Sequence, residues 1–177
     1  MEAEAKEALD HYVPKRRVPV TLWSAELQGV PARIFLDLDA DGSHPTLLDK
    51  LNESAAFLTA AVGVEGRIHL FRRARLVRVT PGPGVLASDV FTRGFQPWRE
   101  EEAELALSDG VRLSGKVWMP LQRASQRLSD FLNQQAGFFV LLTPVGPHLL
   151  NRACVVEVAL PESAGAPLTG DPAAHAA

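Results

Sequence analysis

Apolar and polar residues alternate in twos along most of this chain, which is the period of a half-buried strand. Val18, Val20 and Leu22 alternate with Pro19 and Thr21, predicting a strand with an edge-type proline. Ala32-Arg33-Ile34-Phe35-Leu36 predicts a second. The period then changes. Leu47 and Leu51 stand four apart with polar residues between them, the spacing of one helical face, and predict a short helix over 47–53. Thr46 is its expected cap, and Asp49 adds negative charge to the first turn. Strands follow at Phe57–Val62, Arg67–Phe71 and Arg75–Val79. The same order then returns. Glu104–Leu107, the turn Ser108-Asp109-Gly110 and Leu113–Met119 read as a hairpin. A helix over 128–134 and strands at Phe138–Thr143, His148–Asn151 and Cys154–Leu160 complete it. Both halves read ββαβββ.

The recurrence is visible in the residues themselves. Residues 47–58 and 128–139 align without a gap and share Leu47/Leu128, Asp49/Asp130, Leu51/Leu132, Asn52/Asn133, Ala55/Ala136 and Phe57/Phe138. An internal repeat predicts two homologous modules. The expected divisions are a lead over 1–16 with a short helix at 3–11, module 1 over 17–80, a linker over 81–98, module 2 over 99–160 and a disordered tail over 161–177. Pro81-Gly82-Pro83-Gly84 opens the linker, whose Val85, Phe91, Phe95 and Trp98 suggest packing against a module. The tail is rich in Ala, Gly and Pro, with too little apolar bulk to order. A unit of roughly 60 residues buries only about 60% of its unfolded surface, so the modules should pack together. Five short strands per unit suit a small barrel of the SH3 or Sm type. The expected fold is mainly β with short helices, two such barrels packed as a pseudo-symmetric pair. Each repeated Asp is expected to complement its helix dipole, and each repeated Asn to form a left-handed C-cap.

Composition narrows the function. An apolar content of 46% is ordinary for a globular protein. With 18 basic and 21 acidic residues the formal charge is −3, which argues against a general nucleic-acid binder. The single cysteine, Cys154, excludes an internal disulfide and a thiolate-rich zinc site, and its strand-like surroundings predict a small buried hydrophobe. No apolar run is long enough to span a bilayer, and the acidic start Met1-Glu2-Ala3-Glu4 is no secretory signal, so the expected compartment is the cytoplasm. Asn52-Glu53-Ser54 has the form of a glycosylation acceptor, but inside the repeated segment it reads as structural.

Chemical motifs are few. Asp37-Leu38-Asp39-Ala40-Asp41-Gly42 opens like a calcium loop, but Leu48 stands where the bidentate Glu is needed and Pro45 interrupts it. His11, His44, His69, His148 and His175 show no metal spacing, and no nucleophile elbow or phosphate-binding glycine loop occurs. No catalytic residue, metal or cofactor is expected. Arg72, Arg73, Arg75 and Arg78, with Arg67, crowd the end of module 1 opposed locally by Glu65 alone, and guanidinium groups suit phosphate or carboxylate recognition. Aligning 74–79 with 153–158 puts Arg75 where the second copy has Cys154, which makes it a candidate for an interface or pocket. Module 2 carries Glu100, Glu101, Glu102 and Glu104, so the halves, or two chains head to tail, could pair by charge.

Two resemblances bear on the reading. Lys15-Arg16-Arg17 before Val18-Pro19-Val20 resembles the arginine-rich start of PilZ-type cyclic-dinucleotide receptors, but Asn52-Glu53-Ser54-Ala55-Ala56-Phe57 lacks their closing glycine. Asp109-Gly110, Leu113, Gly115 and Val117, then Gln126-Arg127-Leu128-Ser129-Asp130-Phe131-Leu132-Asn133 and Phe138–Leu142, resemble an uncharacterised family of bacterial small β-domains. That resemblance covers module 2 and reaches module 1 only through the helix. It implies no activity and carries no catalytic residue. The leading expectation is a non-catalytic binding or assembly module with a regulatory or scaffolding role in the bacterial cytoplasm. Its partner is expected to be a protein, self-association included. The alternatives are a sensor of an anionic, nucleotide-like ligand held by Arg72, Arg73, Arg75 and Arg78, and an enzyme of unrecognised type.

Overall fold

The computed structural model describes residues 15–39, 42–91, 95, 99–119, 127–133 and 137–161. The helix expected over 3–11, Trp98 and all but the first residue of the expected tail lie outside them. The strands are β1 (Lys15–Ser24), β2 (Val30–Asp37), β3 (Phe57–Val62), β4 (Arg67–Arg72), β5 (Leu76–Pro81), β6 (Arg99–Leu107), β7 (Arg112–Met119), β8 (Phe138–Thr143), β9 (Gly146–Asn151) and β10 (Val155–Ala159). Short helices are α1 (Leu47–Leu51), α2 (Ala87–Val90) and α3 (Leu128–Leu132). Single 3₁₀ turns at Arg73–Arg75 and Arg152–Cys154 precede β5 and β10. The chain is mainly β, and the same succession of elements occurs in both halves.

All ten strands pair antiparallel in one open sheet, in the order β10-β6-β7-β8-β9-β5-β1-β2-β3-β4. Within each half the fifth strand lies beside the first and the fourth lies at the far end. The hydrogen bonding makes a single ten-stranded sheet and does not by itself divide it into two barrels. The free edge of β5 is taken by β9 of the other half, with Arg78 opposite Leu150 and Val79 opposite Leu149, and this pairing makes one sheet of the two.

The helix ends carry the repeated polar residues. Asp49 Oδ2 accepts from the Thr46 amide at 3.1 Å, and Thr46 Oγ1 accepts from the Asp49 amide at 3.2 Å, a reciprocal capping box. Asp130 Oδ2 accepts likewise from the Arg127 amide at 3.0 Å. The expectation for the asparagines fails. Asn52 (φ −95°) and Asn133 (φ −82°) end their helices on the right-handed side. Cys154 also departs from expectation: it closes a 3₁₀ turn and is half-buried.

Two apolar clusters flank the sheet. The first joins Val18, Val20, Leu22, Ile34, Leu36, Leu47, Leu51, Leu58, Leu76 and Val79 of the first half with Phe138, Val140 and Leu149 of the second. The second joins Leu105, Leu107, Val117, Met119, Leu128, Phe139, Leu141 and Leu150 with Val77 of the first half. β8 and β9 are therefore covered on both faces, which is why Phe-Phe-Val-Leu-Leu runs without a polar break. α2 holds Val90 against the first cluster, while Phe91 stacks on Phe95 and Trp118.

Candidate interaction surface

The junction between the halves is held by side chains from both. At its centre Asn52 holds the start of β8 by both main-chain groups: Oδ1 accepts from the Phe138 amide at 2.7 Å, and Nδ2 donates to the Phe138 carbonyl at 3.1 Å. Gly137 makes room for it. Its φ is +145°, and a Cβ there would meet Asn52 Oδ1. At the other end Asn151 Nδ2 donates to the carbonyls of Leu76 at 2.9 Å and Arg73 at 3.3 Å. Between them Phe138, Val140 and Leu149 fill the space over α1 and β5.

Sequence position alone groups Arg72, Arg73, Arg75 and Arg78, but the structure gives them separate surroundings. Arg73 is buried and donates to the Glu53 carbonyl at 2.6 Å and carboxylate at 3.1 Å, tying α1's exit to the 3₁₀ turn. Arg75 is exposed and pairs with Glu26. Arg78 lies in the junction, its guanidinium 3.8 Å from the centre of the Trp23 ring and 3.5 Å from Asp109 Oδ2. Arg72 is exposed at the end of β4, opposite Phe57. Glu26 is held below the usual carboxylate range by Ser24 and then Arg75.

Other chemistry-bearing residues are occupied in building the fold. Asp37 pairs with Lys15 and Lys50 at 3.2 and 3.3 Å; burial opposes its ionisation, but the two lysines outweigh burial and lower its pKa. Buried Asp89 receives Arg16 at 2.8 Å, with His44 at 3.7 Å, and so fastens α2 to β1. Arg17 lies over Phe35. Burial pushes the Cys154 thiol up, which keeps it protonated and a poor nucleophile. Among the described residues no group of three or more His, Cys, Asp or Glu could hold a metal, and no helix is long and apolar enough to cross a membrane.

Among the described residues, exposed apolar side chains gather at the two ends of the sheet, with Val64, Leu86 and Val145 exposed elsewhere. On one face of β3–β4, Phe57 (51% exposed), Ile68 (60%) and Leu70 (65%) stand open, with Thr59 opposite Leu70. These occupy the places that Phe138, Pro147, Leu149 and Val140 hold in β8–β9, where Phe138 pairs with Asn151 and Val140 with Leu149. At the opposite end a groove of about 430 Å³ runs between α3 and β10, lined by Leu128, Leu132, Asn133, Val155, Val156 and Val158 among others. A larger open groove of about 690 Å³ lies beside β6, β7 and Leu160, with Glu102, Glu104 and Lys116 on its wall. The sequence showed Phe57, Ile68 and Leu70 as strand residues. It did not show that their face is bare, because the period is the same for a covered face.

Compared with protein-family models, with curated proteins and with solved structures, the chain gives no match.

Proposed function

We propose that this chain is a non-catalytic binding or assembly module, with a regulatory or scaffolding role in the bacterial cytoplasm, built from two homologous SH3- or Sm-like units. One observation carries this reading. The two halves are themselves joined by strand addition, and among the described residues no strand pairs with the outer edges of β4 and β10, which lie beside exposed apolar side chains. Strand addition uses main-chain hydrogen bonds for affinity and alternate side chains for selection, and needs no reactive group.

The second reading is a sensor of an anionic, nucleotide-like ligand. Exposed Arg72 favours it, and so does exposed Arg75 once released from Glu26; Arg73 and Arg78 are already engaged with Glu53 and with Trp23 and Asp109. A thermal-shift panel of nucleotides and phosphorylated metabolites separates the two. A ligand at 100 times its dissociation constant stabilises by about 2.7 kcal/mol, a rise in Tm of several degrees. No shift is expected, together with loss of binding partners in Leu70→Lys. A shift that disappears in Arg72→Ala and Arg75→Ala would replace the first reading with the second.

A further inference from the structure

Much of the internal junction has a counterpart left open at the ends of the sheet. The fourth strand of the second half, β9, pairs with the fifth strand of the first, β5. The fourth strand of the first half, β4, and the fifth of the second, β10, end the strand order, with no partner on their outer edges among the described residues. Their surroundings match. Both fifth strands skip one residue against their first strand: Val77 in β5, between the pairs Ser24–Leu76 and Trp23–Arg78, and Val156 in β10, between Leu107–Val155 and Ala106–Glu157. Val77 is buried in the other half's core, whereas Val156 is 71% exposed. Leu47, Leu51, Leu76 and Val79 are covered by Phe138, Val140 and Leu149. Their counterparts Leu128, Leu132, Val155 and Val158 line the open groove.

We propose that copies of this chain associate head to tail, β4 of one pairing antiparallel with β10 of the next in the register of the internal junction. That register sets Phe71 opposite Glu157 and Leu70 opposite Val158. Phe57 and Leu70 of one copy then fill the groove between α3 and β10 of the other, and Val156 enters the first core as Val77 enters the second. The inference rests on the reading of the chain as an assembly module and names its partner as a second copy.

The contact between copies is weaker than the internal one. Ala56 stands where Gly137 admits the asparagine, so Asn133 has no equivalent approach to Phe57. Such a contact is not self-complementary, so it propagates until it closes a ring or stays an open filament.

Light scattering over a dilution series tests this on the full chain. Wild type is expected to exceed the 19.2 kDa of one chain as concentration rises. Leu70→Lys and Val156→Lys change exposed residues, and each should run as a folded monomer, with association weakened about tenfold or more. Mixed together they should form a species of twice the single mass, because each keeps the end the other lacks. Circular dichroism and melting confirm that both fold. A wild type that stays monomeric throughout overturns the proposal, and does so without touching the assembly reading if Leu70→Lys still loses another partner. Association of Val156→Lys alone also overturns it, since that would be β4 pairing with β4.

Discussion

β4 and β9 hold the same place in their halves and begin from related sequences, Arg-Ile-His-Leu-Phe-Arg and Gly-Pro-His-Leu-Leu-Asn. One is almost wholly exposed and the other is among the most buried strands in the chain. Leu70 is 65% exposed; Leu149 at the matching position is fully buried. Strand propensity does not separate them. What separates them is whether a neighbour sits on the outer face, and only the second half has one there. The residues at the ends record the difference. β4 is bounded by Arg67 and Arg72, charges that keep an open edge from pairing indiscriminately. β9 is bounded by Gly146 and by Asn151, whose amide serves the neighbouring strand.

The sharpest way to break this comparison is to truncate both leucines. Leu149→Ala opens a hole in the first core and should lower unfolding stability by about 2–5 kcal/mol. Leu70→Ala should change it by no more than about 0.5 kcal/mol in dilute solution. Denaturant titration of the two variants measures both. Equal losses would mean that β4 is covered in the isolated chain.

Arginines offer the same contrast one step down. Arg78 is buried between Trp23 and Asp109, so Arg78→Ala removes a ring contact and strands a carboxylate that is itself only slightly exposed. A loss of about 3 kcal/mol is expected. Arg75→Ala removes an exposed pair with Glu26 and should cost less than about 1 kcal/mol. Adding Asp109→Ala to Arg78→Ala should recover part of the larger loss, because the orphaned charge goes with it.

Much of the local structure is legible in the sequence, for reasons that are themselves local. Leu47 and Leu51, Thr46 and Asp49 fix a two-turn helix and its cap through neighbours within four residues. Strand-like runs place most strands within a residue or two, but β1 begins three residues and β6 five residues before the expected start. The assignment of the repeated asparagines failed because it treated Asn52 as serving its own helix, whereas its side chain binds Phe138, 86 residues on. The junction left one trace, the exchange of Ala56 for Gly137 at otherwise matched positions. That exchange reads as a flexible turn until Asn52 is seen filling the space. Nor could alternation show that β5 takes β9 in place of β4, because strand pairing depends on which free edge lies nearest in space. The grouped arginines misled for the converse reason: neighbours in sequence on a turn and a strand point to different partners.

The asparagines give the next test. Asn52→Ala leaves the Phe138 amide and carbonyl without their side-chain partner and should cost about 1–3 kcal/mol. Both asparagines are exposed, but among the described residues Asn133 makes no such contact with Phe57, so Asn133→Ala should be nearly neutral in stability and in association. A large loss from Asn133→Ala would show that it binds something across the open end.

The smallest effect concerns the two histidines that share a strand position. His69 is exposed and stacks on Phe71; His148 is buried beside Thr80 and Arg78. Burial, and then the nearby Arg78 charge, lower the His148 pKa below 6.5. The unfolded chain therefore binds a proton in a range where the folded chain does not, and stability falls as pH drops from 6.5 toward the folded value. The lowered carboxyls of Glu26 and Asp37 lose their contributions only below 4.5 and 3.8, so the histidine window opens first as pH falls. Melting temperature against pH should decline shallowly through that window in wild type, by no more than one proton's worth. His148→Gln should flatten it. A decline that survives His148→Gln would place the titrating group elsewhere and remove pH sensitivity from the junction.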